Sequence, residues 1–294
     1  MTRIALALEA MATRFELVLA GPDPPRLRAA GEEALAEVER AEAQLSRYRP
    51  SSQISCLNAR AGGAPVRLDR SVFGLLSECV RLWRLTDGAF DVTVGPLLRA
   101  WGFVGGGGTR PAPRERERAR TLMGMERLEL DASTATARLA VAGMELDLGA
   151  IGKGYALDRA IAVLEEHGVG SALLHGGTSS VHTVGRPAEG PWRVAWRRPD
   201  GQGDGLCLGP EAPALAVSAA HGKGFADGAV FQGHVLDPRR GEPTRAAATA
   251  CVRGRSSLLC DALSTALLVH GPAWRTTLSQ RFPGHEGWTA PLTT

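Results

Sequence analysis

The sequence has no apolar run long enough to cross a bilayer, so no membrane-spanning helix is expected. Its opening residues fall short of an export signal. Arg3 and the run Ile4 to Leu8 are suggestive, but Glu9, Arg14 and Glu16 interrupt before an apolar core forms, and no cysteine near the start is placed to carry a lipid. A cytoplasmic protein is the expectation. Cysteine is sparse, with five residues at 56, 79, 207, 251 and 260. The count is odd and C-x-x-C is missing, so neither a disulfide framework nor a zinc site is supported. The seven histidines form no H-E-x-x-H. Lysine is scarce. Arginine is abundant but spread along the chain, so the net charge of +3 does not gather into a nucleic-acid face.

What is present suits a folded domain. The 294 residues are 44% hydrophobic and 22% charged, enough for a real core. Alternating segments at Phe15–Leu19, Trp192–Trp196, Ala214–Ser218 and Ala247–Val252 read as strands, and Leu128–Leu130, Ala137–Val141 and Met144–Leu148 as successive antiparallel strands. Helical periodicity runs over Arg26–Leu45, Ser71–Thr86, Tyr155–His167 and Ser257–His270. Ser46 to Asn58 reads as a loop, and Asp200 to Gly205 as a turn. The tail after about residue 272 carries no pattern and is expected to be peripheral. Short strands with clustered helices predict an α+β fold, a single domain of mixed, largely antiparallel sheets with packed helices.

The organising stretch is Asp147 to Ala160, DLGAIGKGYALDRA. A strand-like run ends at Asp147, a glycine turn surrounds Lys153, and a helix follows. Backbone N–H groups at such a helix start, with a lysine beside them, suit a phosphate-bearing ligand. The stretch is not a P-loop, since Gly154 follows Lys153 where Ser or Thr would bind Mg²⁺. On the last helix Asp261, Ser264 and Thr265 share one face at i, i+3 and i+4, either an oxygen-only set suited to Mg²⁺ or Ca²⁺ or, as the motif alone favours, an early-helix charge with Ser and Thr packed beside it. His234, in H-V-L-D-P, is either an acid–base group or a satisfied histidine at a turn that Asp237 starts. Phe90 offers an aromatic wall and Asp91 an acceptor. Tyr48 either stacks on a planar ring or caps the core.

Five motifs follow in order: SRYRPSSQISCLN at Ser46–Asn58, DGAFDVTVGPL at Asp87–Leu97 with Trp101-Gly102-Phe103, DLGAIGKGYALD at Asp147–Asp158, HVLDPRRGEP at His234–Pro243 and DALSTAL at Asp261–Leu267. This series, from about Met11 to about Gly271, resembles the ApbE family of FAD:protein FMN transferases. The resemblance implies an α+β fold that binds FAD and Mg²⁺, moves FMN from FAD to a Ser or Thr hydroxyl of an acceptor flavoprotein, and releases AMP. Some relatives hydrolyse FAD to FMN and AMP instead, and a non-catalytic flavin-binding protein is the third possibility. It implies Met11, Tyr48, Ala89, Phe90, Asp91, Asp147, Lys153 and Leu236 as FAD contacts. The Ala150 carbonyl, Asp261, Ser264 and Thr265 would form the metal site, and His234 and Asp261 the catalytic pair. The base is left open between His234 and a carboxylate. Met11-Ala12-Thr13 stands where Met-Gly-Thr is usual, Thr178 where many members have Asp, and Ala216 to Gly222 where a Ser-Thr-Ser-Gly-like turn is common. His221 and Lys223 are thus unusual, and a surface loop is the expectation for both.

Overall fold

The computed structural model describes residues 2–197, 203–228 and 230–292. Its centre is a seven-stranded sheet: β1 (Thr2–Ala10), β2 (Thr13–Gly21), β3 (Ser171–Gly176), β4 (Ser180–Gly185), β5 (Ala214–Ala219), β6 (Thr249–Gly254) and β7 (Glu286–Ala290). The strands lie side by side in chain order, and every neighbouring pair is antiparallel. The fold is α+β, as the composition and pattern predict.

The period-two alternation of these strands divides the core in two. Phe15, Leu17 and Leu19, with Leu174, Ala216 and Val252, face a helical layer. This layer consists of α1 (Pro24–Leu45), α3 (Gly152–Glu166) and α4 (Ser257–His270), with α2 (Arg70–Leu85) adjoining the same core. Val181, Leu215 and Cys251 point the other way, onto Trp196 and Leu208 of a hairpin formed by Trp192–Arg197 and Gly203–Leu208. A third, smaller cluster joins Leu97, Trp101, Met123 and Leu236.

Helix starts follow the capping residues. Asp23 accepts the Arg26 N–H and Ser256 the Leu259 N–H. The β1–β2 turn holds Met11 at φ 53° and Ala12 at φ 57°. A two-residue turn of this hand demands positive φ at both positions, which a side chain opposes. Ala12, standing where glycine is usual, therefore carries strain.

Several segments differ from the sequence reading. Ile4–Leu8 is the middle of edge strand β1. The Ser46–Asn58 loop contains a short helix, Gln53–Ala59, capped by Ser52. Met144–Leu148 is extended but forms no strand; its single bridge joins Glu145 to Val94. The tail is not peripheral: Trp274, Leu278 and Phe282 enter the main core and Glu286–Ala290 completes the sheet. A second hairpin, Gly224–Asp227 with Val230–Gly233, precedes His234. Residues 200–202 of the Asp200–Gly205 turn lie outside the described residues, and from Gly203 the chain is already strand. Among the described residues no helix is long and apolar enough to cross a membrane.

Candidate active site

The starts of α3 and α4 meet at one point, and Gly154 makes the approach possible. A Cβ there would lie 2.2 Å from the Ser257 carbonyl oxygen. With no side chain in the way, the Gly154 N–H donates to Asp261 Oδ2 at 3.0 Å. Ser180, from β4, donates to Asp261 Oδ1 at 3.3 Å, and Lys153 Nζ stands 3.6 Å from the same oxygen. Asp261 is buried, and an amide, a hydroxyl and a cation surround it.

The helix start is thus less open to an external anion than its sequence suggests. Gly154 serves Asp261, Gly152 N–H serves the Leu148 carbonyl at 2.7 Å, and Tyr155 N–H serves Ile151 at 3.0 Å. Lys153 is the part of this motif that reaches outward, half-exposed.

Further along α4, the hydroxyls of Ser264 and Thr265 donate to the Asp261 carbonyl at 2.9 and 3.4 Å. Both also meet Ser218 Oγ from β5, at 2.8 and 3.1 Å. Ser264 is fully buried and Thr265 half-buried. Ala150 lies in the turn that leads into α3. Among the described residues no three His, Cys, Asp or Glu side chains cluster as a metal cage. A cation here would rest on one carboxylate and neutral oxygens. That donor chemistry, free of sulfur and imidazole, fits a hard ion.

Asp158 locks the two helices in register. It lies on α3 and accepts from the Ser257 and Leu258 N–H groups of α4, at 2.8 and 3.1 Å, and from Ser256 Oγ at 2.7 Å. His182 Nδ1 is 3.1 Å from Asp158 and 2.8 Å from Ser257 Oγ. Burial acts to raise the Asp158 pKa, but the hydrogen bond and charge of His182, with the α4 donors, outweigh it and hold the group below the usual carboxylate range.

A second charged cluster borders the first. Asp147 and Glu145 project from alternate positions of the extended segment, and Arg47 forks between them, 2.6 Å from each. The Arg47 guanidinium is buried and lies 5.9 Å from the Tyr48 ring centre. Asp147 also accepts the Gly149 N–H at 2.8 Å, which shapes the glycine turn. In place of a strand partner, Asn58 bonds the Leu146 N–H at 2.7 Å and its carbonyl at 3.0 Å. This is a side-chain imitation of a ladder rung.

His234 completes the arrangement. Its backbone N–H donates to the Lys223 carbonyl at 3.0 Å, and its Nδ1 lies 3.1 Å from the same oxygen. The carbonyl can only accept, so Nδ1 carries the proton and Nε2 presents a lone pair. Burial is the main cause that lowers the His234 pKa. Lys223 and Lys153 lower it further, against the Lys223 hydrogen bond and Asp147. His234 thus lies within the field of Lys153, Lys223 and Asp147 together. Asp237 is not its partner; it accepts the Arg239 N–H at 3.0 Å and the Arg239 guanidinium at 2.9 Å, the turn-starting role. His221 and Lys223 are both exposed.

Tyr48 is 69% exposed, so it presents its ring to solvent and does not cap the core. Met11 is half-buried, its N–H bound to Glu42 at 2.7 Å. Phe90 forms no aromatic wall: it is 1% exposed and, with Ala89, belongs to the main core. Leu236 is likewise packed on Trp101 and Leu97. These three can offer a ligand only main-chain groups. Asp91 accepts from Thr93 N–H and Oγ1 at 2.7 and 2.6 Å, and burial pushes its pKa up to about 6. It lines a cleft of about 430 Å³ with Trp83, Gly88, Arg120 and Arg239.

The ApbE family model matches residues 11–287. The chain belongs to the ApbE family. Among curated ApbE relatives, a FAD:protein FMN transferase of Treponema pallidum is 31% identical over 275 residues, covering 88% of this chain and 76% of the relative. One from Vibrio cholerae is 30% identical over 236 residues, covering 78% and 69%. Among solved structures, an ApbE protein of Thermotoga maritima superposes with a TM-score of 0.87 at 28% identity, covering 97% of this chain and 93% of the other. The Pseudomonas stutzeri flavinyl transferase ApbE superposes at 0.84, also at 28% identity, covering 98% and 95%.

Within this ApbE site, Arg47, Asn58, Asp158, Ser180 and Ser218 escaped the sequence reading as positioning groups. Arg47, Asn58 and Asp158 stand inside the motifs themselves. Asp158, a carboxylate in a mostly apolar helical stretch, offered a signal, whereas Arg47 and Asn58 stand in a polar loop that offered none. Ser180 and Ser218 had none, because only the sheet order brings them to α4.

Proposed function

We propose that the protein is a Mg²⁺-dependent FAD:protein FMN transferase that moves FMN from FAD onto a Ser or Thr hydroxyl of an acceptor flavoprotein and releases AMP. The observation that carries this reading is the 3.6 Å approach of Lys153 to Asp261, with His234 in the field of the same lysine. Lys153 and Asp261 come from distant segments, and His234, from a third, senses the charge of the same lysine. The names of the relatives support the same reaction.

The roles follow from the chemistry. Asp261 and Thr265, with Ser218, Ser264 and the Ala150 carbonyl beside them, would hold the cation. Bound there, Mg²⁺ supplies charge neutralisation on the diphosphate oxygens. Lys153 sits where it can pair with a phosphate oxygen and carry part of the charge that builds on the leaving AMP. His234 Nε2 accepts the proton of the acceptor hydroxyl as its oxygen attacks the FMN phosphorus. The bond from that phosphorus to the bridging oxygen breaks, and the oxygen leaves with AMP. Tyr48, exposed beside Arg47, suits stacking on a planar ring.

The test is to incubate the protein with FAD and Mg²⁺, with and without a panel of flavoprotein acceptors. Expected is one FMN added to an acceptor for each AMP released. FMN and AMP appearing equally without acceptor would instead establish hydrolysis. FAD recovered intact under all conditions would overturn both.

A further inference from the structure

One edge of the main sheet is β1, and its outer side has no strand partner among the described residues. It is nine residues long, regular, free of proline and uncharged from Ile4 to Leu8. Edge strands of soluble proteins are usually blunted by central charges, proline or bulges. This one has none. Beside it, between β1 and α1, lies a cleft of about 320 Å³ whose floor is Leu6, Leu8, Leu35 and Ala36, with Glu32 and Glu39 of α1 at its border.

The order of residues in β1 identifies what fits. Arg3 to Glu9 reads R-I-A-L-A-L-E, which is complementary to its own reverse. Set antiparallel to a second copy about a two-fold axis at Leu6, the strand places Arg3 opposite Glu9, Ile4 opposite Leu8, Ala5 opposite Ala7 and Leu6 opposite Leu6. Opposed residues in an antiparallel pair lie on the same face. Arg3, Ala5, Ala7 and Glu9 are exposed, while Ile4, Leu6 and Leu8 are half-buried on the α1 side, so the matching holds on both faces at once. A two-fold axis at Ala5 or Ala7 would also match the apolar residues, but it would lose both Arg3–Glu9 pairs, so the charges choose the register at Leu6.

We propose that β1 pairs antiparallel with β1 of a second copy of this chain, giving a two-fold dimer in which the two seven-stranded sheets join into one. In the single chain Arg3 reaches Glu189 at 2.7 Å, but both ends of that pair are largely exposed. It yields readily to the pairing with Glu9 of the partner.

Sedimentation of the full chain over micromolar concentrations tests this. A monomer–dimer equilibrium is expected. R3E and E9R, each placing like charges opposite each other twice per dimer, should each weaken dimerisation about tenfold, and R3E/E9R should restore it. Circular dichroism and thermal melting would check that each variant folds. A wild-type chain that stays monomeric throughout overturns the proposal and leaves the edge to another protein's strand. So does a dimer that ignores the single charge reversals, or one that the double reversal fails to rescue.

Discussion

The two sides of the candidate site are built differently. On one side, the junction of α3 and α4 and the Arg47 cluster hold each carboxylate by short contacts to the chain itself: Asp261 by Gly154 and Ser180, Asp147 by Arg47 and Gly149, Asp158 by two N–H groups of α4 and its cap Ser256. On the other side, Tyr48 stands out in solvent, Lys223 is exposed, and the hairpin that precedes His234 exposes Val230 and Phe231. Charges whose spacing sets a phosphoryl-transfer barrier gain from being fixed before substrate arrives. Surfaces that must receive a ring and a protein gain from access. The division supports a reading in which one wall is a template and the other a mouth.

Substitutions break that contrast in order of size. Asp261→Asn keeps an acceptor for Gly154 but removes the charge. AMP release from FAD should fall by roughly a thousandfold, while Tm changes little. A smaller loss would move the metal role elsewhere.

Arg47→Met should cost stability next. It leaves Asp147 and Glu145 facing each other part-buried, with only Arg99 on Glu145 at 2.8 Å. A loss of about 3 kcal/mol is expected at neutral pH, measured by urea unfolding.

Asp91→Asn should go the other way. The Asp91 pKa is raised from 3.8 to about 6 in the folded chain. Its neutral form is therefore favoured on folding, a contribution present below the ordinary carboxylate pKa and lost as pH rises through about 6. The amide, which never ionises, should stabilise the protein at pH 7 by at most about 3 kcal/mol, and hardly at all in acid. Equal stabilisation at both pH values would refute the ionisation argument.

The mildest change is Lys223→Ala. Lys223 helps to depress the His234 pKa. Without it, His234 should protonate at higher pH, and the acid limb of the pH–rate profile should move upward. The plateau rate should hold, because the backbone carbonyl that fixes the tautomer remains.

The central strands and long helices were legible because each has one buried face with a clean period. The short helix Gln53–Ala59 was not, since its buried pair Ile54 and Leu57 is too brief a pattern to stand out from a polar loop. Met144–Leu148 deceived for the opposite reason. It alternates as a strand does, but Asn58 and Val92 take the hydrogen bonds that a ladder would use. The tail misled because its apolar residues are widely spaced, and Trp274, Leu278 and Phe282 become a face only once the last helix turn and strand are in place. For the site, residue types and order led to Asp261, Lys153 and His234. Sequence could not reveal that Phe90 is core or that Arg47 is the brace of Asp147, since burial and ion pairing arise only from packing.

Of the 34 lysines and arginines, only Lys153 and Lys223 are lysines, and both act on His234. An acylating reagent that ignores guanidinium groups therefore meets two side-chain targets, both bordering the candidate site. Covalent labelling of this protein is site-directed by composition alone, and protection of one amine against the other would map what approaches from each wall.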